Sequence, residues 1–173
     1  MDALVSPLLH GWRGIRPPHA WAATEAEVEA ITALAWARGA TRLAIGSGRA
    51  DGDLTTVRAI ATWWEALGGE IASTLTWPET AASWLRQATR FTAANPDLWI
   101  MTGSPVGWAQ MTRRLLWSTN WRPTRTILTA ALSERKALDL VGLVNLNGIT
   151  GVTESGGAWQ IENEVITAPY VRT

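Results

Sequence analysis

Residues 93–115 constrain the fold more than any other part of the chain. They read in order as the end of a helix, an Asn-Pro-Asp turn, a short apolar strand, a Gly-Ser-Pro corner and the start of an amphipathic helix. A strand that passes through such a corner into a helix leaves backbone N–H groups and the hydroxyl of Ser104 at its carboxyl end. Open α/β sheets bind their ligands at that edge. This stretch therefore predicts a parallel sheet and the position of its binding site.

Short apolar runs alternate with amphipathic patterns along most of the chain. The runs at 42–46, 70–76, 98–101 and 126–129 are typical of strands that are buried on both faces. The helices predicted around them run from the N-cap Thr24 to the stop at Gly39, and then over 54–67, 78–94, 106–118 and 133–140. Strands separated by helices in this way indicate right-handed crossovers. The expected fold class is α/β, a three-layer domain with a parallel sheet and helices on both faces.

The pattern becomes weaker beyond residue 140. One more strand is compatible with 147–153, a turn with 155–157, and a tail of uncertain structure with 159–173. We therefore divide the chain into an N-terminal, hinge-like segment (1–23), an α/β lobe (24–145) and a C-terminal strand with its tail (146–173).

The composition excludes several classes of function. Fifteen basic residues balance fifteen acidic residues, so the chain has no general attraction to nucleic acid or to anionic membranes. Because it contains no cysteine, it can hold no disulfide, thiolate metal site or cysteine nucleophile. Its two histidines, His10 and His19, are too isolated for a histidine-based metal cluster. We expect neither a metal nor a cofactor.

The sequence predicts no membrane insertion. The longest uncharged run near the C-terminus, 140–153, is interrupted by asparagines and glycines and is shorter than the ~20 apolar residues that a span needs. The first residues do not predict a signal peptide, because Asp2 precedes a brief apolar run and the arginines follow that run.

Twelve tryptophans stand against one phenylalanine and one tyrosine. Tryptophan buries a large area and carries one N–H donor, so it suits cores, ligand walls and interfaces. Trp63, Trp84 and Trp117 lie within helical patterns and are expected to pack in the core. Trp77 and Trp108 lie beside predicted strand ends, where packing and ligand contact are both open.

Several motifs resemble a known family in their order and spacing. They are Gly-Ala-Thr-Arg-Leu-Ala-Ile (39–45), the loop that ends in Gly52, Glu-Ala-Leu-Gly-Gly-Glu-Ile (65–71), the turn at Pro78, Arg-Phe-Thr-Ala-Ala-Asn-Pro-Asp (90–97) and Thr-Gly-Ser-Pro (102–105). Each motif alone is common in α/β proteins. Together, over about residues 16–140, they resemble the second lobe of type I periplasmic substrate-binding proteins, in particular the Leu/Ile/Val-binding group of ABC transporter receptors.

The resemblance implies a two-lobed clamp. In this family a small solute binds between two α/β lobes, at the carboxyl ends of their strands, and closure of the lobes is read by an ABC-type transporter permease or a sensor. It also implies a periplasmic or otherwise extracytoplasmic location. Because the 173 residues hold one lobe-sized unit, we expect a fragment that lacks its first lobe, with a lone lobe kept for another use as the alternative.

The resemblance also suggests which residues contact the ligand: Ser47, Arg49, Asp51, Gly103, Ser104 and Trp108. An aromatic residue often contacts the ligand of the amino-acid binders at the position of Asp51, and an acidic residue often pairs with its ammonium group at the position of Gly107. Both departures argue against a free α-amino acid as the ligand. Arg49 and Asp51 either recognise polar groups or are solvated loop charges. Ser104 and the N–H groups after it either hold an anion or a carboxylate, or Ser104 caps the helix.

A Rossmann-like enzyme is a weaker alternative. Gly46 and Gly48 begin a glycine pattern, but Asp51 follows where a dinucleotide loop needs its third glycine, and no acidic residue ends the second strand. The sequence contains neither a Gly-x-x-x-x-Gly-Lys phosphate loop nor a Gly-x-Ser-x-Gly nucleophile motif. Glu79 and the other carboxylates are scattered, and none pairs with a histidine at helical spacing. A stand-alone interaction or sensor module remains as the third possibility.

Overall fold

Strands and helices alternate through residues 21–168, the part of the chain that the computed structural model describes. The helices are α1 (Glu25–Ala37), α2 (Asp51–Ala66), α3 (Leu85–Ala93), α4 (Pro105–Ser118) and α5 (Arg135–Asp139). The strands are β1 (Arg42–Ser47), β2 (Glu70–Thr76), β3 (Leu98–Met101), β4 (Thr126–Leu128), β5 (Thr150–Val152), β6 (Ala158–Glu162) and β7 (Val165–Thr167). No helix in this region has the length and apolar character needed to cross a bilayer. Most of the predicted N-terminal segment, with His10 and His19, and the last five residues of the tail lie outside the described residues.

The seven strands form one sheet in the order β2-β1-β3-β4-β5-β6-β7. The four strands predicted with helical crossovers pair in parallel, and the strand expected within 147–153 is β5, parallel to β4. The tail of uncertain structure contributes β6 and β7, which pair antiparallel as a hairpin at the edge. Asn163 and Glu164 connect these two strands with φ of 49° and 65°. Two successive positive φ angles are what a two-residue type I′ hairpin turn requires.

Helices cover both faces of the sheet, which confirms the three-layer α/β fold class. Leu43 and Ile45 of β1 are fully buried in a cluster with α1 and α2. Ala44, which points to the other face, lies in a second cluster with α3 and α4. Fully burying a side chain such as Ile45 contributes about 1.5–3 kcal/mol, so the alternation within β1 stabilises both layers.

Two helix starts differ from the predicted ones by three residues or more. The N-cap Thr24 is confirmed, since its hydroxyl accepts a hydrogen bond from Glu27 N at 3.1 Å. Helix α2 begins at Asp51, three residues earlier than predicted, because the extended Ala50 lets the chain turn directly into the helix. Helix α3 begins only at Leu85, since the preceding residues form a loop in which Trp84 Nε1 donates to Pro78 O at 3.1 Å.

The Asn-Pro-Asp turn joins α3 to β3 and also holds the start of β1. Asn95 adopts a left-handed conformation, with φ of 43°. Oδ2 of Asp97 accepts hydrogen bonds from the backbone N–H of Thr41 and of Arg42, at 2.8 and 2.9 Å, and from the Thr41 hydroxyl. These backbone bonds lower the pKa of Asp97 below its usual value. The turn therefore fixes the amino ends of two neighbouring strands.

The tryptophans divide between core and surface. Trp77 and Trp108, for which packing and ligand contact were both open, are fully buried. Trp84 is partly buried and packs against the cluster under α3 and α4. Trp63 is 36% exposed, and Trp117 is 82% exposed. The packing predicted for Trp117 is wrong, because this residue lies on the outer side of α4.

The close approach of two aromatic rings to Gly46 generates a prediction about stability. A Cβ atom at Gly46 would lie 2.6 Å from a ring carbon of Trp77 and 2.8 Å from one of Phe91. We expect Gly46→Ala to lower the free energy of unfolding in urea by about 1–3 kcal/mol, the usual cost of overpacking. Adding Phe91→Leu, which replaces the aromatic ring with a smaller aliphatic side chain, should restore some of the loss. Equal unfolding midpoints for the wild-type protein and Gly46→Ala would contradict the packing described here.

Candidate functional site

Three loops meet at the carboxyl edge of the sheet. They follow β1, β2 and β3, and backbone hydrogen bonds join them there. Trp77 N donates to Ser47 O at 3.0 Å, and Gly48 N donates to Thr102 O at 3.3 Å. Gly103, with φ of 138°, lies so close to the first loop that a Cβ atom would be 2.9 Å from Gly48 N. The three loops therefore form one surface.

Ser104 is the N-cap of α4 and the polar centre of this surface. Its hydroxyl oxygen accepts a hydrogen bond from Gly107 N at 3.2 Å, and Pro105 occupies the first helical position. The same hydroxyl donates to Oε2 of Glu79, in the loop after β2. The capping role is therefore present, and the serine also connects the loops after β2 and β3.

Glu79 enters a space that is left by two glycines. A Cβ atom at Gly107 would lie 2.7 Å from Glu79 Oε2, and one at Gly48 would lie 3.2 Å from Glu79 Oε1. The missing side chain at Gly107 is therefore what makes room for the Glu79 carboxylate. Sequence reasoning counted Glu79 among scattered carboxylates, although its position directly after a strand and Pro78 was a signal that it could reach the sheet edge.

Asp53 is a second carboxylate at this edge. It lies in the first turn of α2 and is only 3% exposed. A Cβ atom at Gly48 would lie 2.4 Å from its Oδ2, and this oxygen has no hydrogen-bond partner among the described residues. Burial, and to a lesser degree the charge of Glu79, raises the pKa of Asp53 to about 6, although a hydrogen bond from the Ala50 backbone opposes the shift. The edge thus carries two neighbouring acidic groups.

The structure places the six predicted contact residues in different surroundings. Gly103 and Ser104 lie where the three loops meet, and both are buried there. Ser47 is buried and its hydroxyl donates to Gly48 O at 2.8 Å. Asp51 is exposed at the start of α2, and Arg49 is exposed where the loop after β1 reaches a groove beside β2. Trp108 lies inside the core below the surface. A contact of any of them with a ligand remains a prediction.

The charges at this edge favour some ligands over others. An anion at the start of α4 would meet the carboxylate of Glu79 at close range, and like charges at short range repel. Within the first turn, Gly107 N is already bonded to Ser104 and Pro105 has no N–H. Groups that donate hydrogen bonds fit this edge better. In residues 21–168, no group of three or more acidic, histidine or cysteine side chains could hold a metal ion.

Comparisons with known proteins bear on the fold. No protein-family model matches the sequence, and no curated protein does either. Among solved structures, a candidate branched-chain amino acid ABC transporter from Rhodospirillum rubrum aligns with a TM-score of 0.62 and 18% identity, over 74% of this chain and 37% of that one. A leucine-binding protein from Thermotoga maritima aligns with a TM-score of 0.60 and 16% identity, over 73% of this chain and 36% of that one. An extracellular ligand-binding receptor from Rhodopseudomonas palustris aligns with a TM-score of 0.64 and 13% identity, over 76% of this chain and 37% of that one.

These similarities confirm the predicted resemblance at the level of the fold. Most of the described chain superimposes on a part of periplasmic and extracellular binding proteins. The chain covers little more than a third of the length of each of them. An alignment over this share of their length is consistent with a single lobe of those proteins.

The buried carboxyl of Asp53 predicts how stability depends on pH. The pKa of this carboxyl is about 6 in the folded protein and near 3.8 without burial. Between these two pH values the folded state keeps a proton that the unfolded state releases, so the free energy of unfolding falls as the pH rises through this window. Asp53→Asn cannot ionise. We expect its free energy of unfolding to exceed that of the wild type by up to about 3 kcal/mol above pH 7, and the difference to vanish below about pH 4.

Urea unfolding at a series of pH values measures this difference. Asp51→Asn removes the same charge from an exposed position of the same helical turn and serves as the control. Parallel pH profiles for the wild type and Asp53→Asn would show that the Asp53 carboxyl is not perturbed.

Proposed function

We propose that this chain is a solute-binding lobe of a receptor that serves an ABC-type transporter outside the cytoplasm. The observation that carries the proposal is its similarity to periplasmic and extracellular binding proteins, which reaches TM-scores of 0.60–0.64. The carboxyl edge of the sheet, where three loops converge on Ser104, is the surface that takes a small polar solute. A facing lobe completes the site and closes over the solute, and the transporter permease reads the closed form. The role is capture, not catalysis.

The acidic groups at the edge support a solute that donates hydrogen bonds. Glu79 accepts one hydrogen bond from Ser104 and has further acceptor capacity, and Oδ2 of Asp53 has no hydrogen-bond partner in the described part of the chain. An unpaired buried acceptor is costly, so a donor that reached it would gain the full value of the bond. Hydroxyl, amide and ammonium groups are donors of this kind. Free carboxylates and phosphates are not.

We further propose that the solute is not a branched-chain amino acid, although two of the similar proteins carry such descriptions. Asp51 lies where an aromatic side chain often contacts the ligand in the amino-acid binders, and it is exposed and charged here. An apolar side chain would therefore lose its packing partner. The acidic group that is missing at Gly107 is replaced by another one, because Glu79 brings a carboxylate into the space beside that glycine. An amine group can be accommodated, whereas a branched apolar group is not favoured.

Binding by the isolated chain is expected to be weak. A clamp buries most of its solute between two surfaces, and one surface supplies only part of the contacts that must offset the lost freedom of the ligand. For residues 1–173 alone we expect dissociation constants above ~1 mM, or less than about 4 kcal/mol of binding free energy. Calorimetry with amino alcohols, amides, amino acids, sugars and short carboxylates measures this directly.

Two variants test whether a solute binds at the carboxyl edge. Ser104→Ala and Glu79→Gln should both reduce binding of a donor-bearing solute. Asp139→Asn, which removes an exposed carboxylate that pairs with Arg135 on α5, should not. The same variants can be tested in a two-lobed protein that contains this lobe, where binding should be tighter. Saturable micromolar binding to residues 1–173, abolished by Ser104→Ala, would favour the alternative of a self-sufficient sensor module. Preference for leucine, isoleucine or valine would contradict the proposed solute class.

A further inference from the structure

Within residues 21–168, strand β2 leaves one side of its backbone without a strand partner. It is the outermost strand of the sheet formed by these residues, and there it pairs with β1 alone. Trp77 N, just after β2, donates to Ser47 O of β1. Because successive backbone N–H groups of a strand point to opposite sides, those of Thr74 and Thr76 point away from β1. These two residues therefore offer their N–H and C=O groups to an additional strand.

A groove of about 600 Å³ runs along this free side. Thr74, Leu75 and Thr76 form its floor. Its walls come from α2 and α3, which pack on opposite faces of the sheet. We call it the β2-edge groove; its charged and amide-bearing residues are Arg49, Arg58, Arg86, Gln87 and Arg90. Ser47 and Arg49, two of the expected ligand contacts, also line this groove, whereas Ser104 and Glu79 do not.

The β2-edge groove is strongly positive. Four of its residues are arginines, all four are exposed, and no carboxylate from the described part of the chain lines it. The ion pairs found in residues 21–168 use other arginines, since Arg42 pairs with Glu70 and Arg135 with Asp139. The Oε1 atom of Gln87 is buried and has no hydrogen-bond partner among residues 21–168. Four guanidinium groups and an unused amide acceptor thus surround a free strand edge.

We propose that the β2-edge groove binds an extended acidic peptide segment of another protein, which adds to the sheet as a strand beside β2. Main-chain hydrogen bonds to Thr74 and Thr76 give such a segment its register. Its side chains alternate between the two faces of the sheet. Acidic side chains on one face meet Arg58 of α2, and those on the other face meet Arg86 and Arg90 of α3. Arginine is well suited to such pairs because its guanidinium group binds carboxylates in a two-pronged geometry.

The charge of the groove decides against pairing with a second copy of this chain. Two β2 edges brought together would place two sets of four arginines against each other. Like charges opposed across a strand pair are destabilising, and proteins use charged edge residues to prevent this contact. An acidic partner removes the repulsion and supplies the missing strand.

Fluorescence anisotropy with a labelled Val-Glu-Glu-Val-Glu-Glu-Val peptide tests the proposal, since its glutamates lie on both faces of an extended strand. We expect saturable binding to the full chain at low salt that weakens as salt is added. The double variant Arg86→Glu/Arg90→Glu should bind at least about tenfold more weakly. Arg122→Glu, an exposed position that does not line the groove, is the matched control and should bind normally. Ser104→Ala should also bind normally, which separates this test from that of the solute site.

Two further peptides test strand pairing. One is N-methylated at odd positions and the other at even positions. Because only one side of an added strand faces β2, one of the two should lose about tenfold or more in affinity and the other should not. Equal binding of both, or displacement of the parent peptide by equimolar citrate, would overturn strand addition in favour of a simple anion site. No binding at low salt would mean that the arginines serve only to keep the edge from pairing.

Discussion

The carboxylate of Asp97 is the contact on which the arrangement of the sheet edge depends. It binds the backbone of Thr41 and Arg42, and so holds the amino end of β1 beside the turn that begins β3. At the other end, the N–H of Gly48 bonds to Thr102 O. With both ends held, β1 cannot slide along β3. A slip of one residue would exchange the faces of Leu43 and its neighbours and would separate the loops that carry the site.

The carboxyl edge of the sheet and the β2-edge groove have opposite electrostatic character. Glu79 and the buried Asp53 are acidic groups at the carboxyl edge, while the charged residues that line the β2-edge groove are arginines. The balanced formal charge of the sequence hides this separation. Only the fold reveals it, because residues that are distant along the chain, such as Arg49 and Arg90, come to line one groove. Composition argues against broad attraction to polyanions, but it carries no information about local fields.

The regular parts of the molecule could be predicted from the sequence because they depend on local patterns. The buried strands, the cap at Thr24 and the cap at Ser104 follow from apolar runs and from polar residues that precede helices. The hairpin of β6 and β7 was not predicted, since short strands with exposed residues give a weak signal. Trp117 was expected to pack, but its helix turns it outward. The role of Glu79 could not be predicted, because it depends on a loop conformation and on space left by distant glycines.

The acidic group beside Gly107 and the space that it occupies come from different residues. Glu79 belongs to the loop after β2, and the glycine belongs to α4. A single substitution at the glycine would displace the carboxylate without altering the glutamate itself. Under the proposed solute-binding role, a substitution at Gly107 would change the selectivity of this surface without changing its acidic residue. In evolutionary terms, Gly107 would be a permissive site, and a comparison restricted to the acidic residues would not detect the change.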